Sequence, residues 1–264
     1  MCRCKLCLQE KPLKESHIIS KLFFKALKKR SEDSSFRDLS VPNRRIQDGI
    51  KVNLLCNDCE EKFSKFETYY SNRFLKNISD ENISINTNDD NLRYFLLSLH
   101  WRLLVWKTLN DNIMMDNMNV SEKKAFFDVL ELWRKALDSE DYDTIRSIRM
   151  RLIPTKKLEF FYNHNSYFLD SILYDFIYPP EDKNFDFAIS YLQVPNYIFI
   201  CEVWGKYNKM KPYILGKKVR IPKRISFPKE ILIIISNAYG FSLEALKKLT
   251  QKQKKLLLKT DSNI

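Results

Sequence analysis

Glycine is scarce in this 264-residue chain, with four copies, and histidine is scarcer, with three. So few glycines argue against a loop-rich or low-complexity protein. Three histidines leave few places for imidazole chemistry. No apolar run approaches the roughly 20 residues of a membrane span, and Met1-Cys2-Arg3-Cys4 opens no apolar signal core. These absences predict a cytoplasmic protein with no membrane partner. The apolar stretch Ile231 to Ile235 fits a buried element instead. Acidic residues nearly vanish over 205–259, with 2 against 15 Lys/Arg.

What is present points to packed, basic domains. Hydrophobic residues make up 44% and aromatics 13%, enough for cores, and the length favours two domains. The net charge of +12 and a pI near 9.3 favour a polyanionic partner. Residues 1–75 carry 16 basic against 10 acidic side chains, while 76–204 is net acidic. The positive field therefore sits at the two ends of the chain.

Six cysteines in a reducing cytosol are poor candidates for disulfides. Cys4-x2-Cys7 and Cys56-x2-Cys59, 48 residues apart, have the spacing of two zinc knuckles that together complete one tetrahedral site. The plainer alternative is four inert buried thiols. Cys2-x-Cys4 is a poorer spacing, and Cys201, inside an apolar strand, reads as core.

Periodicity supplies the elements. A helix is expected over Ser20 to Arg30, an extended segment over Ile50 to Leu55, and a helix from Asn57 to Leu75 with Phe63, Phe66, Tyr70 and Phe74 on one face. Residues 91–109 should form a helix whose buried stripe is Leu92, Phe95, Leu96, Leu99, Leu103 and Trp106. That register puts His100 off the stripe, at a surface or interface. Helices are expected at 121–137, starting at Ser121, and at 141–152. Strands follow up to Trp204, with turns at Pro179-Pro180 and Pro195-Asn196. A basic amphipathic helix is expected from Ser242 to Lys259. His164, in Asn163-His164-Asn165, reads as a turn residue. Lys217, Lys218, Arg220, Lys223 and Arg224, interleaved with Tyr213 and Ile221, suit nucleic-acid phosphate contact as well as they suit a solvated basic face.

Ten residues beyond Cys7 stands Ser16-His17-Ile18-Ile19. Leu54-Leu55 leads into Cys56, and Glu60 follows Cys59 directly, with Phe63 and Glu67 beyond. This order resembles the HNH endonuclease family, in its four-cysteine ββα-metal branch that includes the phage recombination endonucleases. The resemblance covers about residues 4–70. It implies a metal-dependent phosphodiester hydrolase with His17 as general base, Glu60 as ligand to a catalytic Mg²⁺ or Mn²⁺, and structural Zn²⁺ on Cys4, Cys7, Cys56 and Cys59. Histidine suits a base because its ordinary pKa lies near neutrality. Asn53 is the first choice by residue type to orient the ring, with Gln47 and Asp48 as alternatives. Two positions depart from the family pattern. Ser16 stands where Asp or His often supplies a second ligand, and Glu60 replaces the final histidine; Glu15 or Glu67 can be asked to compensate.

The expectation is an α+β protein. Residues 1–75 would form the zinc-stapled nuclease unit, 76–90 a linker, and 91–264 a helical and then β-rich domain that senses a ligand or binds nucleic acid. DNA is the leading substrate over RNA. An effector of antiviral defence or of a mobile element fits by analogy. Two alternatives remain: a non-catalytic zinc module that binds nucleic acid, and a nuclease gated through its C-terminal domain by a ligand, a regulatory protein or a second copy.

Overall fold

The computed structural model describes residues 2–31, 35–38, 40–75, 89–155, 171–177, 187–205 and 229–258. Lys217, Lys218, Arg220, Lys223, Arg224, His164, Pro179-Pro180 and most of the expected linker lie outside the described residues.

The N-terminal unit is a hairpin backed by helices. β1 (Leu13–His17) pairs antiparallel with β4 (Lys51–Cys56). Between them come α1 (Lys21–Arg30) and the short strands β2 (Phe36–Arg37) and β3 (Arg45–Ile46), which pair with each other. Side chains alternate across a strand, so the hairpin has one solvent face and one core face. Glu15, His17, Lys51 and Asn53 take the first, and Ser16 and Leu54 the second. α2 (Asn57–Tyr70) follows β4 without a loop and ends in a π-helical turn, Ser71–Leu75. Its expected apolar face of Phe63, Phe66, Tyr70 and Phe74 is buried.

α3 (Asp90–Asn110) is the centre of the molecule. Asp89 caps it by accepting from the Leu92 N–H at 3.0 Å. The expected stripe from Leu92 to Leu103 is buried, but so are the opposite side, with Tyr94, Leu97, Trp101 and Leu104, and the flanks, with Arg93, Ser98, His100 and Arg102. The sequence stripe is too narrow because α3 is covered on both sides. α2, α5 (Val120–Ser139) and α6 (Tyr142–Ser147) pack on it, as do the strands β7 (Phe187–Val194) and β8 (Tyr197–Gly205). His100 is accordingly a core residue and not a surface one. Its Nδ1 lies 2.8 Å from Ser190 Oγ. Burial pushes its pKa down to about 3, so it is a neutral hydrogen-bonding group.

The four-stranded sheet is fully antiparallel, in the order β5-β8-β7-β6, with β5 at Met150–Pro154 and β6 at Leu173–Ile177. β7 and β8 are joined by the expected Pro195-Asn196 turn. Proline fixes its first position, and Asn196 accepts the left-handed second position with φ 74°. The helix expected over 141–152 stops at Ser147. Met150 to Pro154 instead pairs with Tyr197 to Cys201, a long-range partner that a local pattern does not show. After the short α4 (Asn112–Asp116), α5 starts with a capping box between Asn119 and Glu122. At the C-terminal end, α7 (Lys229–Lys247) and α8 (Gln251–Leu258) replace the single helix expected from Ser242. Ser242 is buried inside α7, and its hydroxyl donates back to the Tyr239 carbonyl at 2.8 Å, so it is no cap.

Aromatic rings join the parts. Phe23 of α1 meets Tyr70 of α2 at 5.7 Å, Phe95 of α3 at 6.2 Å and Phe199 of β8 at 6.3 Å. Residues 4–74 and 92–203 thus contribute to one apolar core. The molecule is α+β. Among the described residues no helix is long and apolar enough to cross a membrane.

Candidate metal centre and histidine hairpin

The first knuckle is a tight turn. Leu8 N–H donates to the Cys4 carbonyl, and Cys4 N–H to the Gln9 carbonyl, each at 3.0 Å. Leu8 takes a left-handed φ of 61°, which costs a non-glycine residue roughly 1–2 kcal/mol. The surroundings hold it there. Lys5 N–H bonds the Leu54 carbonyl at 3.0 Å, Arg3 Nε the Leu8 carbonyl at 2.8 Å, and Arg134 Nη1 from α5 the Leu6 carbonyl at 2.6 Å. The second knuckle needs no special turn. Cys56 ends β4 at the N-cap position of α2, with no side-chain capping bond, and Cys59 sits in the first helical turn.

The two knuckles bring Cys4, Cys7, Cys56 and Cys59 together, with all four sulfurs within 4.8 Å of one another. Cys7 Sγ and Cys56 Sγ are 3.8 Å apart. A tetrahedron with zinc–sulfur bonds of about 2.3 Å has edges of about 3.8 Å. The Cys56 N–H donates to Cys4 Sγ at 3.3 Å, an orientation that favours a thiolate. Burial works to raise the Cys4 thiol, but backbone N–H groups of Cys56, Cys7 and Leu6 outweigh it and hold its pKa below the ordinary value. Burial raises Cys59, and the sulfurs of Cys56 and Cys4 raise it further. Four sulfurs this close repel one another as thiolates, and a divalent cation among them removes that repulsion. The group fits a metal ion such as zinc. Cys2 is exposed and Cys201 is buried in β8, both outside the group.

His17 sits at the far end of β1, where its side chain is 17% exposed. Its Nε2 lies 2.8 Å from Asp48 Oδ1. The carboxylate accepts, so a neutral ring carries its lone pair on Nδ1. Asp48 also accepts from Lys51 Nζ at 2.8 Å and from the Gly49 N–H at 3.0 Å. Its own burial works to raise its pKa, but Lys51 and His17 overcome that and hold the carboxyl well below the usual carboxylate range. Gly49 leaves room for α1. A Cβ there would stand 2.2 Å from the Phe24 ring.

Asn53, the first choice by residue type, stands opposite Glu15 on the same hairpin face, whereas His17 stands opposite Lys51. Asp48 is the group that reaches the imidazole. Ser16 faces the core, and its Oγ accepts from Leu55 N–H at 3.3 Å. Glu60, in the first turn of α2, has a buried Oε1 with no hydrogen-bond partner. Glu67 lies two turns further along the same helix face, about 10 Å along the axis. It is occupied by Arg102 Nη2 at 2.9 Å.

Arg102 is a residue that the sequence reading misses. It is buried on α3, donates through Nη1 to the His17 carbonyl at 3.0 Å, and lies over the Phe63 ring at 5.3 Å. One fork therefore joins β1, α2 and α3. Its sequence signal is a cation three residues after Leu99, at the edge of the buried stripe.

No protein-family model, curated protein or solved structure matches this chain.

Proposed function

We propose that the chain is a metal-dependent endonuclease of HNH type that hydrolyses phosphodiester bonds, with DNA as the leading substrate. The observation that supports it most is the His17–Asp48 pair, 2.8 Å apart on the solvent face of a hairpin whose base holds the four-cysteine group. In this reading Zn²⁺ on Cys4, Cys7, Cys56 and Cys59 is structural. Asp48 fixes the tautomer and orientation of His17, and Nδ1 takes a proton from a water molecule. The water oxygen bonds to phosphorus, one P–O ester bond breaks, and the leaving oxygen takes up a proton. Glu60, whose Oε1 has no hydrogen-bond partner, would hold a Mg²⁺ or Mn²⁺ ion, which would supply charge stabilisation at the phosphate. Asn53, on the face of His17, is assigned a lesser role in positioning.

The test is nicking of supercoiled plasmid by the purified chain under Mg²⁺, Mn²⁺ and EDTA, with RNA in parallel. His17→Ala should lower the rate by about 10² to 10⁴-fold, and Glu60→Ala by at least as much. Both should keep the parent's zinc content. A His17→Ala protein that cuts as fast as the parent would sink the assignment.

A second reading has its own support. Ser16 turned inward, Glu67 held by Arg102 and Glu15 facing Lys51 Nζ at 3.7 Å leave Glu60 without an unengaged partner ligand among these candidates. A non-catalytic zinc module that binds nucleic acid fits those facts. It takes over if the parent shifts DNA under every divalent ion, with or without a candidate activator, and never cuts it.

A further inference from the structure

α1 is inserted between the two strands of the hairpin and carries its own charge pattern. From Ile18 to Ser31 there is no acidic residue, while the helix holds Lys21, Lys25, Lys28 and Lys29. At 100° per residue these four fall within about 100° of arc. Phe23 lies opposite this arc and Phe24 on its flank, about 40° from Lys28, and both are buried. Lys21, Lys25 and Lys29 are exposed, and among the described residues none of the four lysines has an ion pair or hydrogen bond.

The contrast with α5 is informative. That helix, also surface-exposed on one side, pairs its cations at helical spacing: Lys124 with Asp128 at 2.6 Å, Arg134 with Glu131 at 2.7 Å, and Lys135 with Glu131 at 3.7 Å. α1 does the opposite. Lys21 with Lys25, and Lys25 with Lys29, are like charges at i,i+4, each destabilising by roughly 0.2–0.5 kcal/mol. A polyanion laid along the helix turns that repulsion into attraction.

Position gives the stripe its direction. Lys21 is four residues beyond His17, and four residues span at most about 14 Å. Lys29 lies a further 12 Å or so along the helix axis. The packing of Phe24 against Gly49, next to Asp48, ties the helix to the loop that holds the histidine. The stripe thus begins within about 14 Å of His17 and runs about 12 Å along α1, the axial length of three to four base-pair steps of a duplex at roughly 3.4 Å each.

We infer that the Lys21–Lys25–Lys28–Lys29 face of α1 is a docking surface for the phosphodiester backbone of nucleic acid, which it leads toward His17. This deepens the nuclease reading by naming where its substrate lies, and it can be tested without any cleavage. Binding of a short labelled DNA duplex, and of an RNA strand of equal length, is measured in EDTA across a salt series. The variants are Lys21→Glu/Lys25→Glu/Lys29→Glu and the neutral Lys21→Gln/Lys25→Gln/Lys29→Gln. A control with the same charge change elsewhere is Lys124→Glu/Lys135→Glu/Lys247→Glu. The neutral α1 variant should bind about tenfold or more weakly, and its salt slope should shrink by roughly 0.9 per lost contact on duplex DNA. The acidic α1 variant should bind more weakly still, and the control should stay near the parent. The arm that loses binding, DNA or RNA, identifies the substrate class.

Equal losses in the control and the α1 variants would reduce the effect to net charge and overturn the inference. So would unchanged binding by the neutral variant, whose lost repulsion favours its folding. A parent that binds phosphatidylserine vesicles through α1 but neither nucleic acid would overturn it too. If the α1 variants lose binding while the parent never cuts, the surface stands and the nuclease reading falls. If His17→Ala abolishes cutting while the α1 variants bind as the parent does, the reverse holds.

Discussion

Asp48 receives His17, Lys51 and the Gly49 N–H at one carboxylate. Because its folded pKa is depressed, the stabilisation it provides is fully present above its unfolded value, near pH 4. It is lost as pH falls through the lower folded value. The difference in stability between parent and Asp48→Asn should therefore be widest at neutral pH and close below about pH 4. Urea unfolding at a series of pH values measures this, and a gap that persists unchanged below about pH 3 would contradict it. In the nicking assay Asp48→Asn should lower the rate by about 10- to 100-fold, as loss of an orienting partner typically does, and more than Asn53→Ala does. At this scale the sequence is legible for identity and not for pairing. His17 and the four cysteines are visible from spacing. That Asp48 rather than Asn53 reaches the ring depends on the turn at 48–50 bringing the carboxylate back over the strand end. Composition and residue type carry no record of that geometry.

α3 shows how elements are held in register. Arg102 joins three of them, and both of its ionic and hydrogen-bonding partners lose something if it is removed. Arg102→Met should cost about 3 kcal/mol or more, because Glu67 and the His17 carbonyl are left without their donor. Arg102→Lys should recover little, since an ammonium cannot reproduce the fork. Arg102→Met combined with Glu67→Leu should be more stable than Arg102→Met alone, since no stranded carboxylate remains. Denaturant titration of the three variants decides this, and a double variant no better than the single would place the cost elsewhere. The helix itself is easy to read from Leu92 to Leu103. Its buried flanks are not, because Ser98, His100 and Arg102 all look polar in a linear pattern, and Ser190, the partner of His100, lies 90 residues away. The same limit explains Met150 to Pro154, whose strand exists through its pairing with β8.

At the scale of the whole molecule, the cysteine group stands beside a core shared by residues 4–74 and 92–203. One Zn²⁺ per chain is expected by elemental analysis of protein purified without chelator. Cys56→Ser should lose it, while Cys2→Ser and Cys201→Ser should keep it. Because that core is continuous, metal loss should lower the melting temperature of the whole described fold, with no separate early transition for the N-terminal unit. Two well-separated transitions in calorimetry would contradict this. The α+β class and the four-cysteine group are legible from the sequence, since each follows from local spacing. The shared core is not, because Phe23, Tyr70, Phe95 and Phe199 meet only after the chain has folded back on itself. The two knuckles have one more consequence. With a metal ion bound they would close the 48 intervening residues into a ring, the ion serving as its clasp. By the chain-entropy argument used for disulfides, such a clasp contributes about 4 kcal/mol. A single protease cut at the exposed Asn43–Arg44 turn would then open the ring without releasing either piece. The cut protein should run as one particle in gel filtration, held also by the β1–β4 pairing and the Phe23 contacts, and a chelator should lower its melting temperature more than it lowers that of the uncut chain.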